Sequence, residues 1–137
     1  MRRLARRFTM VFGAGCLGGL LNSLALWLFG RAEITAGLGV NLAPALTAKW
    51  LYPRLIWGGI WGLLFLLPFY RHRVIRQGLL FSLGPSMVQL LVVFPHQAGK
   101  GMFGLDLGLL TPVFVLFFNA VWGLGAALWL RYVETNR

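Results

Sequence analysis

The sequence predicts an all-α polytopic membrane protein with four transmembrane helices. Hydrophobic residues make up 58% of the chain and charged residues only 12%, which is about half the charge of a soluble domain. The charges fall in short clusters between long uncharged runs, a pattern typical of polytopic membrane proteins. We therefore expect one domain, residues 1–137, with helices at about 8–29, 53–70, 77–95 and 107–130.

The first predicted helix, residues 8–29, carries no charge and is long enough to cross a bilayer. Gly15 and Gly19 are four residues apart, so a second helix can approach closely on that face. The apolar run before Cys16 is too short for a signal peptide, and we expect this helix to be retained. The single cysteine is interpreted as a small packing residue.

Residues 34–48 are also uncharged, but they are too few for a span of about 20 residues. Leucines recur every four residues at 38, 42 and 46. We predict a short interfacial or re-entrant segment between the first two helices. An apolar loop packed on one end of the bundle is the alternative.

The second predicted helix begins at Pro53, a residue that suits the first turn of a helix. Arg54 is expected to extend outward to the membrane surface. Gly58 and Gly62 repeat the four-residue spacing of small residues. A basic cluster follows the run at 71–73, as expected where a helix stops at a cytoplasmic surface.

The third and fourth helices each carry a feature that disturbs or delimits them. Pro85 lies in the middle of the third and is expected to kink it. Asp106 is expected to cap the fourth. Gly123 and Gly125 give the fourth helix a small-residue surface of its own. This surface and the one at Gly58 and Gly62 together exceed what one internal contact needs, which favours a partner helix.

Basic residues predict the orientation of the chain. With both termini inside, nine of the 13 arginines and lysines lie on the inner side and four on the outer side. The bias predicts a cytoplasmic N-terminus and C-terminus. The net charge of +10 indicates contact with anionic lipids and not with nucleic acid, because the arginines flank apolar segments. The arginines expected to bind lipid headgroups are Arg2, Arg3, Arg6, Arg7, Arg71, Arg73 and Arg76.

The residue pattern indicates neither a catalytic site nor a site for proton coupling. Glu33, Asp106 and Glu134 all lie at helix ends or in loops, whereas a proton-coupled exporter places an ionisable group within the membrane. His72 and His96 lie in loops on opposite sides. No metal-ligand spacing or catalytic triad is present in the sequence. We expect no catalytic residue, no metal and no cofactor.

Three amide side chains are predicted to lie in one layer near the bilayer midplane. Asn22, Gln89 and Asn119 are at roughly 21, 18 and 17 Å from the inner face, counting about 1.5 Å per residue. Buried amides in lipid seek hydrogen-bond partners on other helices. The layer therefore serves either as interhelical contact or as a polar site for an ion, water or small solute.

Several features together resemble small inner-membrane proteins of the YagU-like type. They are the glycine-rich stretch from Gly13 to Leu26, the short apolar connector after it, and the run R-Q-G-L-L-F-S-L-G-P-S-M-V-Q-L at 76–90. The resemblance implies a bacterial inner membrane and transfers no catalytic residue.

Two functions remain open at this point. The first is a non-enzymatic component that works through helix packing, as a homo-oligomer or as an accessory subunit of a membrane complex, with Gly15, Gly19, Gly58, Gly62 and Gly123 as packing residues. The second is a small channel or uncoupled solute carrier with the amide layer and the Pro85 kink as its path. A membrane enzyme is the third and weakest possibility. The expected partners are the lipid bilayer and other membrane helices.

Overall fold

The computed structural model describes residues 2–70 and 72–135, and within these ranges it is helical with no strand. The α-helices are α1 (Arg2–Arg31), α2 (Ile34–Gly37), α3 (Ala48–Gly62), α4 (Val74–Val88) and α5 (Thr111–Thr135). Two 3₁₀ segments, Leu63–Leu66 and Met102–Leu107, and a π-helix, Gln89–Gln97, complete the regular structure.

Three helical stretches are long and apolar enough to cross a membrane: Arg2–Arg31, Val74–Gln97 and Thr111–Glu134. They fit an integral membrane protein. The α3 helix has 15 residues, or about 22 Å, against a hydrocarbon core of about 30 Å. It reaches further only through the 3₁₀ segment that follows. The fourth crossing therefore stays a prediction.

The second helix differs most from its predicted bounds of 53–70. It starts at Ala48, where the Thr47 hydroxyl caps it by accepting a hydrogen bond from Trp50 N at 3.2 Å. Pro53 consequently lies inside α3 and not at its start. Leu67 is extended, with φ −74° and ψ 142°. The helix stops there because the residue before a proline, here Pro68, disfavours helical backbone.

The third predicted helix corresponds to α4 and the π-helix that continues it. The α-helical part runs through Pro85 to Val88, and the π-helix continues to Gln97. Pro85 has no N–H to donate to the preceding turn. Nearby, Ser86 Oγ donates to the Ser82 carbonyl oxygen at 2.8 Å. The departure from α-geometry thus begins four residues after the proline, and the kink itself stays a prediction.

The fourth helix begins at Thr111, four residues later than the predicted 107. The prediction that Asp106 caps it is wrong, because Asp106 lies in the preceding 3₁₀ segment. At the other end of the chain, α1 begins at Arg2, so the basic residues that precede the predicted run belong to the helix. Arginine is a good helix former, which explains the extension.

The long helices pack in the order α3, α1, α5, α4, so α1 and α5 each have a packed helix on both sides. We call the end that holds Arg2, Arg73 and Arg131 the arginine end, and the opposite end, which holds residues 31–47 and 98–110, the connector end.

At the connector end, residues 39–47 form no regular helix. Val40 is only 1% exposed and packs with Leu26, Phe114 and Phe118. Asn41 N donates to the Leu107 carbonyl oxygen at 2.8 Å, joining the two connectors. An interfacial or re-entrant role for residues 34–48 stays a prediction.

Candidate functional site: a polar cavity between the helices

The α1–α3 contact is made by glycines. A Cβ on Gly58 would lie 2.7 Å from the Gly15 carbonyl oxygen, and one on Gly62 would lie 2.9 Å from Gly15 Cα. A Cβ on Gly19 would lie 2.9 Å from the Arg54 carbonyl oxygen. Only glycine fits at these positions, because the obstructing atoms are backbone and cannot rotate away. The structure thus brings four of the predicted packing glycines into one contact within the chain.

The α4–α5 contact uses the second small-residue surface. A Cβ on Gly78 would lie 2.7 Å from the Gly123 carbonyl oxygen, whereas one on Gly125 would lie 2.7 Å from Leu21 Cδ1 of α1. Both predicted glycine surfaces therefore face helices of the same chain. These glycines are occupied within the chain and do not by themselves indicate a partner, so a partner helix stays a prediction.

Trp122 joins three helices at the centre of the bundle. Its side chain is 3% exposed, and its indole Nε1–H lies 3.1 Å from the Gly15 carbonyl oxygen and 3.2 Å from that of Gly58. A single donor from α5 thus binds α1 and α3 together at their glycine contact. Its neighbour Gly123 contacts α4, so α5 contacts all three of the other long helices, α1, α3 and α4.

The three predicted amides meet in one hydrogen-bond chain beside this junction. Asn22 Nδ2 donates to Asn119 Oδ1 at 3.2 Å and to the Phe118 carbonyl oxygen at 2.8 Å. Asn119 Nδ2 in turn donates to Ser86 Oγ at 3.1 Å and to Gln89 Oε1 at 3.4 Å. The chain connects α1, α5 and the third helix, which are the elements that the amide layer was predicted to join.

Arg54 supplies a positive charge at the start of this hydrogen-bond chain. Its Nη2 donates to Asn22 Oδ1 at 2.7 Å and its Nε donates to Ser23 Oγ at 2.8 Å. The guanidinium carbon also lies 4.8 Å from the centre of the Trp50 ring. The prediction that Arg54 extends outward is wrong. The close glycine contact of α1 and α3 brings two oxygen acceptors within its reach, and the half-buried side chain turns inward.

These polar residues line a cavity of about 400 Å³. It occupies the gap that the three packed helix pairs leave, between α3 and the third helix with its π segment. The polar lining consists of Asn22, Ser23, Arg54, Gln89, Gln97 and Asn119. Tryptophans 57, 61 and 122 and valines 88 and 93 supply most of the apolar lining. The rim includes exposed residues, among them Trp57 and Val88, so the cavity opens at the protein surface.

The inward position of Arg54 and the role of Trp122 were not predicted, although the sequence carries a signal for each. Arg54 is four residues before Gly58 and eight before Gly62, which places it on the same helix face as the predicted packing glycines. Trp122 is three residues after Asn119 and so shares its face. A charge aligned with a glycine surface points to the bundle interior.

The predicted headgroup arginines separate into two groups. Arg2, Arg3, Arg6, Arg73 and Arg76 are exposed at the arginine end. Arg7 instead forms an ion pair with Glu134 and donates from Nη2 to the Phe65 carbonyl oxygen at 3.2 Å. Arg71 lies outside the described residues. A second cavity of about 380 Å³ adjoins this ion pair and includes His72, Gln77 and Arg131 in its lining.

The described residues contain no group of three histidine, cysteine or acidic side chains close enough to hold a metal ion. Cys16 is free and half-buried on α1. It packs beside α3, since a Cβ on Gly59 would lie 2.7 Å from its sulfur.

Comparison with known proteins identifies no relative. No protein-family model, no curated protein and no solved structure matches the chain. The YagU-like resemblance therefore stays a prediction, and the cavity is the feature from which function has to be argued.

Proposed function

We propose that this protein is a small, non-enzymatic membrane protein that binds a solute between its helices and lets it pass, as an uncoupled carrier or channel does. The observation that carries the proposal is the cavity of about 400 Å³, lined by one cation, amides and a hydroxyl on one side and by tryptophans on the other. Its volume falls within the range of small-molecule sites, roughly 300–1,000 Å³.

The character of the polar lining favours binding over catalysis. Asn22, Gln89, Gln97 and Asn119 are amides, which form hydrogen bonds without exchanging protons at neutral pH. The remaining polar groups are a hydroxyl and a guanidinium that keeps its proton. Such residues can orient a solute, but they offer no general base and no activated nucleophile.

Solute uptake into proteoliposomes tests this function. The probes are three radiolabelled solutes of different charge: benzenesulfonate, mannitol and phenyltrimethylammonium. Val88→Phe places a larger side chain at the cavity rim, and Val92→Phe makes the same change at an exposed position outside the lining. We expect uptake of at least one solute above that of protein-free vesicles, lost in Val88→Phe and kept in Val92→Phe. Uptake equal to protein-free vesicles for all three solutes would contradict the proposal.

Assembly with other membrane helices, as a homo-oligomer or as an accessory subunit, is a second proposal. One observation favours it: Gly13 is exposed on α1, and a Cβ added there would meet no atom within 4 Å. An uncovered glycine offers a helix from another chain the same close approach that Gly15 gives to α3.

Native mass spectrometry of the protein, taken gently from its own membrane, tests for assembly. A single multiple of the chain mass would support a homo-oligomer, and a constant mass of other subunits would support an accessory role. A bare monomer would contradict this second proposal, and it would leave the carrier proposal in place.

A further inference from the structure

We propose that the ligand of the cavity is an organic anion, with a carboxylate or phosphate group held by Arg54 and an apolar body held by the tryptophans. This inference rests on the proposed function and names its ligand class. It comes from the charges of the lining, the anchoring of the guanidinium and the division of the cavity into a polar and an apolar side.

The lining carries one charge, and that charge is positive. Among its 15 residues only Arg54 is ionised at neutral pH. The chain has three acidic side chains in all, and none of them lines the cavity. Glu134 pairs with Arg7 at the arginine end, and Glu33 and Asp106 lie in the connectors. Within the described residues no carboxylate forms an ion pair with Arg54.

Arg54 is held in place without being neutralised. Its two hydrogen bonds, from Nε and Nη2, go to the uncharged oxygens of Ser23 and Asn22. A guanidinium has five N–H donors, so three remain beyond these two bonds. A cation that is half-buried next to a bilayer needs a counter-charge, and its planar fork matches a carboxylate or phosphate group. An anionic ligand would supply the missing charge.

The hydrogen-bond chain reinforces the positive character of this region. Arg54 donates to Asn22, Asn22 donates to Asn119, and Asn119 donates to Gln89. Every bond runs in the same direction, with the donor on the Arg54 side. The oxygens that would otherwise attract a cation each accept one of these bonds, which leaves one lone pair on Oδ1 of Asn22, Oδ1 of Asn119 and Oε1 of Gln89.

The apolar side of the cavity indicates what the anion is attached to. Trp57 and Trp61 lie on α3, and Val88 and Val93 lie opposite on the third helix. Trp57 is 60% exposed, so this wall continues to the surface between the helices. An alkyl chain or aromatic ring fits such a wall. An anionic lipid and a free amphiphilic anion share this chemistry.

Quenching of tryptophan fluorescence by brominated amphiphiles tests the inference. The protein is placed in phosphatidylcholine nanodiscs, and the probes share one bromine-labelled alkyl chain with a phosphate, alcohol or ammonium head group. The saturable part of the quenching gives the affinity. We expect the phosphate probe to bind at least about tenfold more tightly than the alcohol, as charge-assisted hydrogen bonds imply, and the ammonium probe to give no saturable quenching.

Charge variants locate the effect. Arg54→Gln should weaken binding of the phosphate probe by at least about tenfold. Arg31→Gln is the matched control, because it removes the same charge from an exposed residue at the connector end, outside the lining. Arg54→Lys should recover part of the binding, since it keeps the charge. Equal affinities in Arg54→Gln and Arg31→Gln, or a folded Arg54→Lys that recovers nothing, would overturn the inference.

Two further arms separate the possible failures and the possible sources. If Val88→Phe binds every probe as wild type does, the cavity is not the site and the proposed function fails too. If Val88→Phe blocks the probes but their charge has no effect, only the anion inference fails. Native mass spectrometry from membranes of phosphatidylglycerol and phosphatidylcholine then identifies the source. Phosphatidylglycerol retained by wild type and lost in Arg54→Gln indicates a lipid, and binding of the phosphate probe without retained lipid indicates a free anion.

Discussion

Trp122 connects α5 to both α1 and α3 through its indole N–H. Its indole N–H satisfies two carbonyl oxygens, those of Gly15 and Gly58, at the point where three helices meet. Trp122→Phe keeps an aromatic ring but removes the donor. We expect the free energy of unfolding to fall by about 1–3 kcal/mol, because a buried donor and its acceptors lose their bond.

Thermal unfolding in detergent micelles, followed by circular dichroism, measures this loss. Trp129→Phe is the matched control, since Trp129 lies on the same helix and is 43% exposed. A midpoint that moves equally in both variants would contradict the role given to the Trp122 hydrogen bond.

The amides of the polar layer are not equivalent. Asn119 takes part in three of the layer's hydrogen bonds, with Asn22, Ser86 and Gln89, whereas Gln89 is held by one bond of 3.4 Å. We expect Asn119→Leu to reduce the free energy of unfolding by about 1–2 kcal/mol and Gln89→Leu by about 0.5 kcal/mol or less. Denaturation of both variants in sodium dodecyl sulfate would measure the difference. A larger loss of unfolding free energy in Gln89→Leu than in Asn119→Leu would contradict the greater contribution given to Asn119.

At the scale of elements, glycine decides how closely α1 and α3 approach. Gly15→Ala places a Cβ against backbone atoms of α3, so the two helices must separate. We expect a loss of about 1–3 kcal/mol of stability, as in an overpacked core. In Gly13→Ala, on the same helix, the added Cβ meets nothing within 4 Å.

Gly13→Ala should therefore leave the free energy of unfolding unchanged or raise it by up to about 1 kcal/mol, because alanine favours helix. Both variants can be compared by thermal unfolding. A similar destabilisation by the two substitutions would contradict the contact described for Gly15. A loss of assembly in Gly13→Ala without a loss of stability would favour the oligomer proposal.

The elements also show which parts of the fold were predictable. Runs of uncharged residues located the long helices, since length and hydropathy suffice for that. Asn22, Gln89 and Asn119 could be placed in one layer because helical rise converts position into depth. The start of α3 could not be predicted, because Thr47 caps the helix through a side-chain hydrogen bond while Pro53 offered a competing signal.

The direction of Arg54 was also beyond a reading of single segments. In the predicted helix 53–70 Arg54 lies near the end, and such a side chain in lipid ordinarily reaches the surface. Its inward position depends on acceptors that another helix, α1, supplies. The cavity escaped prediction for the same reason, since it lies in a gap left by the packing of three helix pairs.

At the scale of the whole molecule, the orientation in the membrane is open to test. A bilayer crossed four times would place Lys49 and Lys100 on the outer side and Arg73 on the inner side. We expect Lys49→Cys and Lys100→Cys to react with a membrane-impermeant maleimide in intact cells, and Arg73→Cys to react only after permeabilisation. Cys16→Ala supplies the cysteine-free background.

Lys49 is the second residue of α3 and Arg73 lies beyond the 3₁₀ segment that follows, so this pair tests the fourth crossing directly. Equal labelling of the two cysteines in intact cells would show that α3 does not cross. The bundle would then have three crossings.

The inward-turned Arg54 has a consequence for the synthesis of the protein. An arginine at the centre of an apolar helix raises the free energy of insertion by the translocon by about 2.5–3.5 kcal/mol, and Arg54 lies about 9 Å into α3. The oxygens that bind it belong to α1, which leaves the ribosome first. We therefore expect α3 to enter the bilayer only beside α1, so that the two helices form a single unit of biogenesis.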